Sequence, residues 1–263
     1  MQGFDPKFKD FPDYIIGITK EIWEDRGIAT LHEYYAKDIV VRMPSGVSTG
    51  NQGVIGATMA TLAEFPDRKL LGEDVIWSGT PETGMLSSHR ILSTATHLGD
   101  GGFGAATGKP LVYRIIADCH ARNNAIDDEW LVRDQGAIVR QMGWEAKAYA
   151  ADLIAREGGP AAATQPLCPK TDIQGPYKGR GNDNEWGVKY AAILERIMAA
   201  DLSVIPAEYD RAVQCEYPGG ITAYGPDAAD RFWMALRAAL PNAIFKIDHQ
   251  IGREDAMMQP RAA

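Results

Sequence analysis

The chain has 263 residues, 45% of them hydrophobic and 24% charged, with a formal net charge of −8. That composition suits a globular protein with a real core, while the acidic balance argues against nucleic acid or an anionic membrane surface as main partner, since both need a basic face. Cys119, Cys168 and Cys215 lie far apart without CxxC spacing, so neither a disulfide framework nor a structural zinc site is expected.

The N-terminal stretch MQGFDPKFKDFPDY mixes charge with aromatics and lacks the apolar core of a signal peptide. No run reaches the length of a membrane span, and a cytoplasmic setting is expected. After Pro12-Asp13, Ile15, Ile18 and Ile22 recur at helical spacing and predict an amphipathic first helix. The middle of the first part reads as sheet. In 88–97, His89, Ile91, Ser93, Ala95 and His97 share one face, and Arg90, Leu92, Thr94 and Thr96 the other. In 111–120, Leu111, Tyr113, Ile115, Ala117 and Cys119 oppose Val112, Arg114, Ile116, Asp118 and His120. Asn123-Asn124 then turns the chain, and 126–134 returns as a third strand. Such a meander with helices on one side predicts an α+β fold, not alternating α/β.

Between the first two of these strands lies STATHLGDGGFGAATGKP, residues 93–110, which carries Gly99-x-Gly101-x-x-Gly104 and then Gly108-Lys109. A dinucleotide fingerprint needs a helix after it to hold the pyrophosphate, but here a second strand follows. A P-loop needs Gly five residues before Gly-Lys and Ser or Thr after it, whereas Phe103 and Pro110 stand there. The run therefore reads as a long connection between antiparallel strands, with glycines permitting the bends.

The helical stretch 145–157 ends at Gly158-Gly159-Pro160, and the Gly- and Pro-rich residues 158–182 read as a linker. Beyond it, Asn182 with Glu185 resembles a capping box, and Trp186, Tyr190, Ile193 and Ile197 form an apolar stripe. Shifted by 175 residues, 22–79 meets 197–254 with Ile22 on Ile197, Glu33-Tyr34 on Glu208-Tyr209, Gly50 on Gly225 and Pro66 on Pro241. This suggests a tandem repeat with an incomplete second unit: a domain over 1–157, the linker 158–182, and a truncated copy over 183–263.

The glycine connection carries a resemblance. His97-x-Gly99, Phe103-Gly104 and Thr107-Gly108-Lys109 resemble the T-H-x-G…F-x-G…P-T-G-K connection of the SnoaL-like polyketide cyclases, in the NTF2-like superfamily. TGNQGVIGATMATLAEFPDRKLLGEDVIWSG (49–79) and NNAIDDEWLVRDQGAIVRQMG (123–143) resemble that family's flanking segments, covering roughly 10–145. Ala105-Ala106 departs from the usual proline-containing approach to Thr107, and Asn123-Asn124 stands in place of Asp-Gly. The second copy resembles only the front half of the domain. The resemblance implies a cone of helices packed on a strongly curved antiparallel sheet around an apolar pocket, and a homodimer formed through the sheets. It also implies aldol-type acid–base chemistry with an Asp and a nearby His in some members, and steroid isomerisation, epoxide opening or mere binding in relatives.

Enolate chemistry needs one group to take a proton beside a carbonyl and another to hydrogen-bond the developing oxyanion. Asp118, mid-strand in RIIADCHA, is the candidate base, with His120 on the same face or His97 at the mouth of the glycine connection as donor. Pairing of Asp118 with Arg114 is the structural alternative. Trp77, His89, Tyr113, Glu129 and Trp130 are candidate pocket residues. The two tryptophans could stack a ring-shaped ligand but are more simply core; Asp127-Asp128-Glu129 reads as a strand start, with Glu129 where the family's E-x-W acid sits. His89, His97 and His120 lack ligand spacing, so no metal is expected, and Ser87-Ser88-His89 lacks the GxSxG turn of a nucleophile elbow. The expected function is that of a small-molecule-binding protein, a cofactor-free cyclase or isomerase acting on a small, mostly apolar carbonyl compound. A non-catalytic binding or assembly module is the alternative.

Overall fold

A computed structural model describes residues 1–254 and 260–262; positions 255–259 and 263 of the expected second copy lie outside them. The chain divides into two compact units, Met1–Lys178 and Gly179–Ala263. Residues 158–178, expected as linker, are thus part of the first unit.

The first unit runs α1 (Phe11–Thr19), a π-helical turn (Lys20–Glu24), a 3-10 turn (Ile28–Thr30), α2 (Leu31–Tyr34), β1 (Tyr35–Met43), β2 (Gly46–Thr49) and α3 (Asn51–Glu64). It continues through β3 (Lys69–Thr80), β4 (Gly84–Thr96), β5 (Pro110–Arg122), β6 (Ala125–Arg133), α4 (Gln135–Gln141) and α5 (Ala146–Arg156). Asp10 caps α1 by accepting from the Asp13 amide at 2.9 Å. Ile15, Ile18 and Ile22 are buried as their spacing predicts. The six strands form one sheet in the order β2-β1-β6-β5-β4-β3. Every neighbouring pair is antiparallel except β1 and β6, which run parallel. Asn123 and Asn124 take φ of 51° and 66°, the left-handed pair that a two-residue hairpin turn requires and that Asn tolerates.

Helices cover one face of this sheet. Phe11, Tyr14, Ile15 and Ile18 of α1 pack with Met85, Ala117 and Cys119 into one apolar cluster. Phe65, after α3, and Ala137, Ile138 and Met142 at α4 pack with Ile91, Ala95, Leu111, Tyr113 and Ile115 into another. The face carrying Tyr113, Ala117 and Cys119 is therefore the inner one. This is the α+β arrangement of helices on a curved, mostly antiparallel sheet.

The second unit runs α6 (Glu185–Met198), α7 (Val204–Glu208), β7 (Gln214–Tyr217), β8 (Ile221–Tyr224), α8 (Pro226–Ala239), β9 (Gly252–Glu254) and β10 (Pro260–Ala262). Ile193, Ile197, Val204, Ile205 and Ala229 form its core. Asn184, not Asn182, caps α6, accepting from the Trp186 amide at 3.0 Å. The Asn182 side chain is engaged instead with the backbone of Gly252. The order of elements parallels the front of the first unit. In each, a helix and a short helix lead to a hairpin of four-residue pairing, then a glycine with positive φ (88° at Gly50, 80° at Gly225), then a 14-residue helix.

Candidate active site

The glycine connection is clamped to the end of α3. The amides of Leu98 and Gly99 both donate to the Glu64 carbonyl, at 3.2 and 3.0 Å. The Glu64 carboxylate accepts from the amides of Gly102 and Phe103. His97 is buried between the two segments, its Nε2 3.2 Å from Glu64 Oε1 and its Nδ1 3.1 Å from Thr107 Oγ1. A Cβ on Gly99 would lie 2.1 Å from the Ala63 carbonyl, and one on Gly101 2.4 Å from the Glu64 carboxyl carbon, so close approach is what demands glycine there. With both ring nitrogens engaged, His97 joins the connection to the helix.

The two sheet faces separate the remaining candidates. Asp118, His120 and Trp130 lie on the outer face, where Asp118 stands between Ser88 and Trp130 in cross-strand register. Residues 172–177 lie against this end of the face. Arg42 holds Asp128 at 2.5 Å and Asp172 at 2.7 Å and also donates to the Ile173 carbonyl. The Tyr177 amide donates to Asp128 at 3.0 Å. His120 is fixed by Asp127, 2.6 Å from its Nδ1, and its ring meets Tyr177 at 4.9 Å between centroids. Trp130 has the Arg42 guanidinium over its ring at 4.5 Å. Arg114 is paired with Glu73 at 3.0 Å.

On the inner face the register brings the other four together. Successive cross-strand rows read Leu70–Ser93–Tyr113, then Gly72–Ile91–Ile115–Arg133, then Val75–His89–Ala117–Leu131, then Trp77–Ser87–Cys119–Glu129–Val41. Trp77 packs edge-on against Phe11. His89 is 2% exposed, and its Nε2 has no hydrogen-bond partner. It lies over Gly72 near Ile16: a Cβ on Gly72 would be 3.1 Å from that nitrogen and 3.4 Å from Ile16 Cγ1. Burial pushes the His89 imidazole down to about 4, so it is neutral at pH 7. Glu129 is buried too, with Cys119 Sγ 3.9 Å from its Oε1. Burial lifts its carboxyl to about 7, against smaller downward pulls from Arg133 and the Cys119 thiol. Burial and the nearby carboxylates of Glu129 and Asp118 hold the Cys119 thiol well above its usual range.

Two further polar residues reach this face, and neither stood among the sequence candidates. Arg133 is in phase with Glu129 and Leu131 on β6, and its Nε is buried without a partner. No sequence signal marks it, since its phase of the strand, Glu129–Leu131–Arg133, is the polar one and Trp130–Val132 the apolar one. Arg68 precedes β3 in the FPDRK turn, where no periodicity marks it. Among the described residues, no group of three or more His, Cys, Asp or Glu is placed to hold a metal ion, and no helix is long and apolar enough to cross a membrane.

Residues 14–142 match the family model described as SnoaL-like polyketide cyclase, and this stretch of the chain is a domain of that family. Solved structures similar to the chain include IdmH from Streptomyces antibioticus, at 23% identity over 50% of this chain and 97% of that one (TM-score 0.43). AclR from Streptomyces galilaeus matches at 15% identity over 51% and 98% (TM-score 0.44). A SnoaL-like polyketide cyclase from Agrobacterium tumefaciens matches at 17% over 50% and 97% (TM-score 0.42). No curated protein matches.

Proposed function

We propose that the inner face of the first unit binds a small carbonyl compound and that Glu129 moves a proton at the carbon beside the carbonyl. The Glu129 carboxylate takes the α-proton, the carbonyl becomes an enolate, and the neutral His89 imidazole donates to the oxygen where charge develops. Returning the proton to a different carbon completes an isomerisation; attack of the enolate on a second carbonyl, whose oxygen then takes the proton back from Glu129, completes a cyclisation. Neither route consumes a cofactor. The observation that carries this reading is Glu129, a buried carboxyl held at about 7, where a general base divides evenly between its two states at neutral pH. Glu129 and His89 stand two strands and one row apart, about 12 Å at the backbone, with side chains that both project inward. In this reading Asp118, His120, His97 and Trp130 hold the fold around the site.

Deuterium exchange into 2-tetralone, followed by NMR, tests the proposal. The protein is expected to accelerate exchange above buffer, with a rate that climbs with pH through about 7 as the base ionises. Glu129→Gln is expected to lose at least ~100-fold of that rate while binding the ketone as before. Ketone binding with no acceleration would leave a binding module without turnover and overturn the catalytic reading.

The same unit offers a face for pairing with a second copy. On the outer face, beyond the stretch covered by residues 172–177, the side chains of Leu71, Val112, Ile116 and Val132 are exposed, with Ile116 directly opposite Val132. Glu73, Arg90 and Arg114 form ion pairs beside them. Exposed apolar side chains interspersed with ion-paired charges suit a self-complementary interface, and the homodimer is proposed through this face.

A further inference from the structure

The inner face holds more positive charge than its own carboxylates use. Arg68 is only 5% exposed, and among the described residues its guanidinium makes one long hydrogen bond, 3.4 Å from Nε to the Ser93 hydroxyl. Ser93 stands opposite Tyr113. The Tyr113 hydroxyl is buried toward Arg68 without a well-formed hydrogen bond. One row further along, the Arg133 Nε is buried and unpartnered. Among the described residues, neither arginine has a carboxylate within ion-pair distance. Burial, with Arg133 as a further like charge, pulls the Arg68 guanidinium down to about 10, which leaves it charged at neutral pH. A buried, unpaired guanidinium is costly. The same unit shows the ordinary solution: Arg42, equally buried, is saturated by Asp128, Asp172 and the Ile173 carbonyl.

We propose that Arg68, Arg133 and the Tyr113 hydroxyl form the seat for a carboxylate of the ligand, so that the site takes carbonyl compounds bearing a carboxylic acid. This rests on the reading of the inner face as the ligand site and names the class of compound it admits. A guanidinium presents paired donors that match the two oxygens of a carboxylate, and a phenol hydroxyl adds a third donor. The charges agree: two arginines against an ionised Glu129 leave one positive charge, which one carboxylate balances. The apolar side chains beside the seat, Leu70, Ile91 and Ile115, suit the hydrocarbon part of such an acid. Tyr113 lies three rows from Glu129 and Arg133 two, about 20 and 13 Å along extended strands, spans the sheet's curvature shortens, so the acid group and the reacting carbonyl lie at opposite ends of the ligand.

Calorimetric titration of the full chain with 4-phenylbutyrate and its neutral amide, 4-phenylbutyramide, tests this. The acid is expected to bind at least tenfold more tightly. Arg133→Gln, at the more accessible of the two arginines, is expected to erase that preference and leave amide binding within about twofold, and Arg68→Gln to do the same provided its circular dichroism is native. Glu129→Gln is expected to keep the preference for the acid. Loss of ketone exchange in that variant with the preference intact therefore separates this seat from the proton-transfer reading. An acid that binds no better than the amide, a preference that survives Arg133→Gln, or no binding of either probe would overturn the proposal.

Discussion

Glu129 and His89 are shifted in opposite directions by the same cause, and their effects on stability oppose each other. Glu129 ionises at about 7 in the fold against an ordinary value near 4.5. Between those values the folded chain holds a proton that the unfolded chain has released, so stability from this group is lost as pH rises, by roughly 3 kcal/mol in all. His89 ionises at about 4 against an ordinary 6.5. Its unfolded form takes up a proton first on acidification, so stability is lost as pH falls from 6.5 to 4, again by roughly 3 kcal/mol. In the shared window from 4.5 to 6.5 the two slopes cancel. Urea denaturation across pH should therefore be nearly flat there for the native chain. It should rise with pH for Glu129→Gln and fall with pH for His89→Asn; identical slopes in all three would show that neither group is desolvated as described. Strand alternation already placed Asp118 and His120 on one face and Tyr113 and Cys119 on the other. It did not say which face the helices cover, and that depends on contacts far apart in sequence, such as Phe11 against Trp77 and Ile16 beside His89.

At the scale of elements, the sequence revealed the local and the periodic. The first helix, the meander of β4, β5 and β6 and the Asn-Asn turn follow from spacing and from residues that tolerate positive φ. Glycines in 98–108 pointed to a bent connection, but not to its clamp on α3, because Glu64 and His97 are 33 residues apart and nothing local links them. Residues 158–182 read as a linker, since they lack any apolar period. Within them, the segment 172–177 lies on the first unit through Arg42, Asp128 and Tyr177, polar contacts that no periodicity reports. By covering one end of the outer sheet face, it leaves the apolar patch at the other end as the surface for self-association. Replacing Ile116 and Val132 together by Lys should convert a dimer into a monomer, read as a halved mass in light scattering at micromolar concentration. A native chain already monomeric there would contradict the proposed interface.

For the molecule as a whole, the family domain accounts for residues 14–142, while the second unit has its own core and its own hairpin. The offset of 175 residues aligned Gly50 with Gly225, and both stand at positive φ before a 14-residue helix. Charged and titratable groups in the first unit divide its work: Arg42 is satisfied by buried Asp128 and exposed Asp172 on the outer side, whereas buried Arg68, Glu129 and His89 and half-buried Arg133 stand on the inner side, with His89 Nε2 and Arg133 Nε lacking a partner among the described residues. An inner face that were merely core would have no use for such groups. The carbon-13 NMR titration of the Glu129 side-chain carboxyl, assigned by its disappearance in Glu129→Gln, tests this most directly. The account predicts a midpoint about 7; a midpoint near the ordinary 4.5 of a solvated glutamate would contradict it.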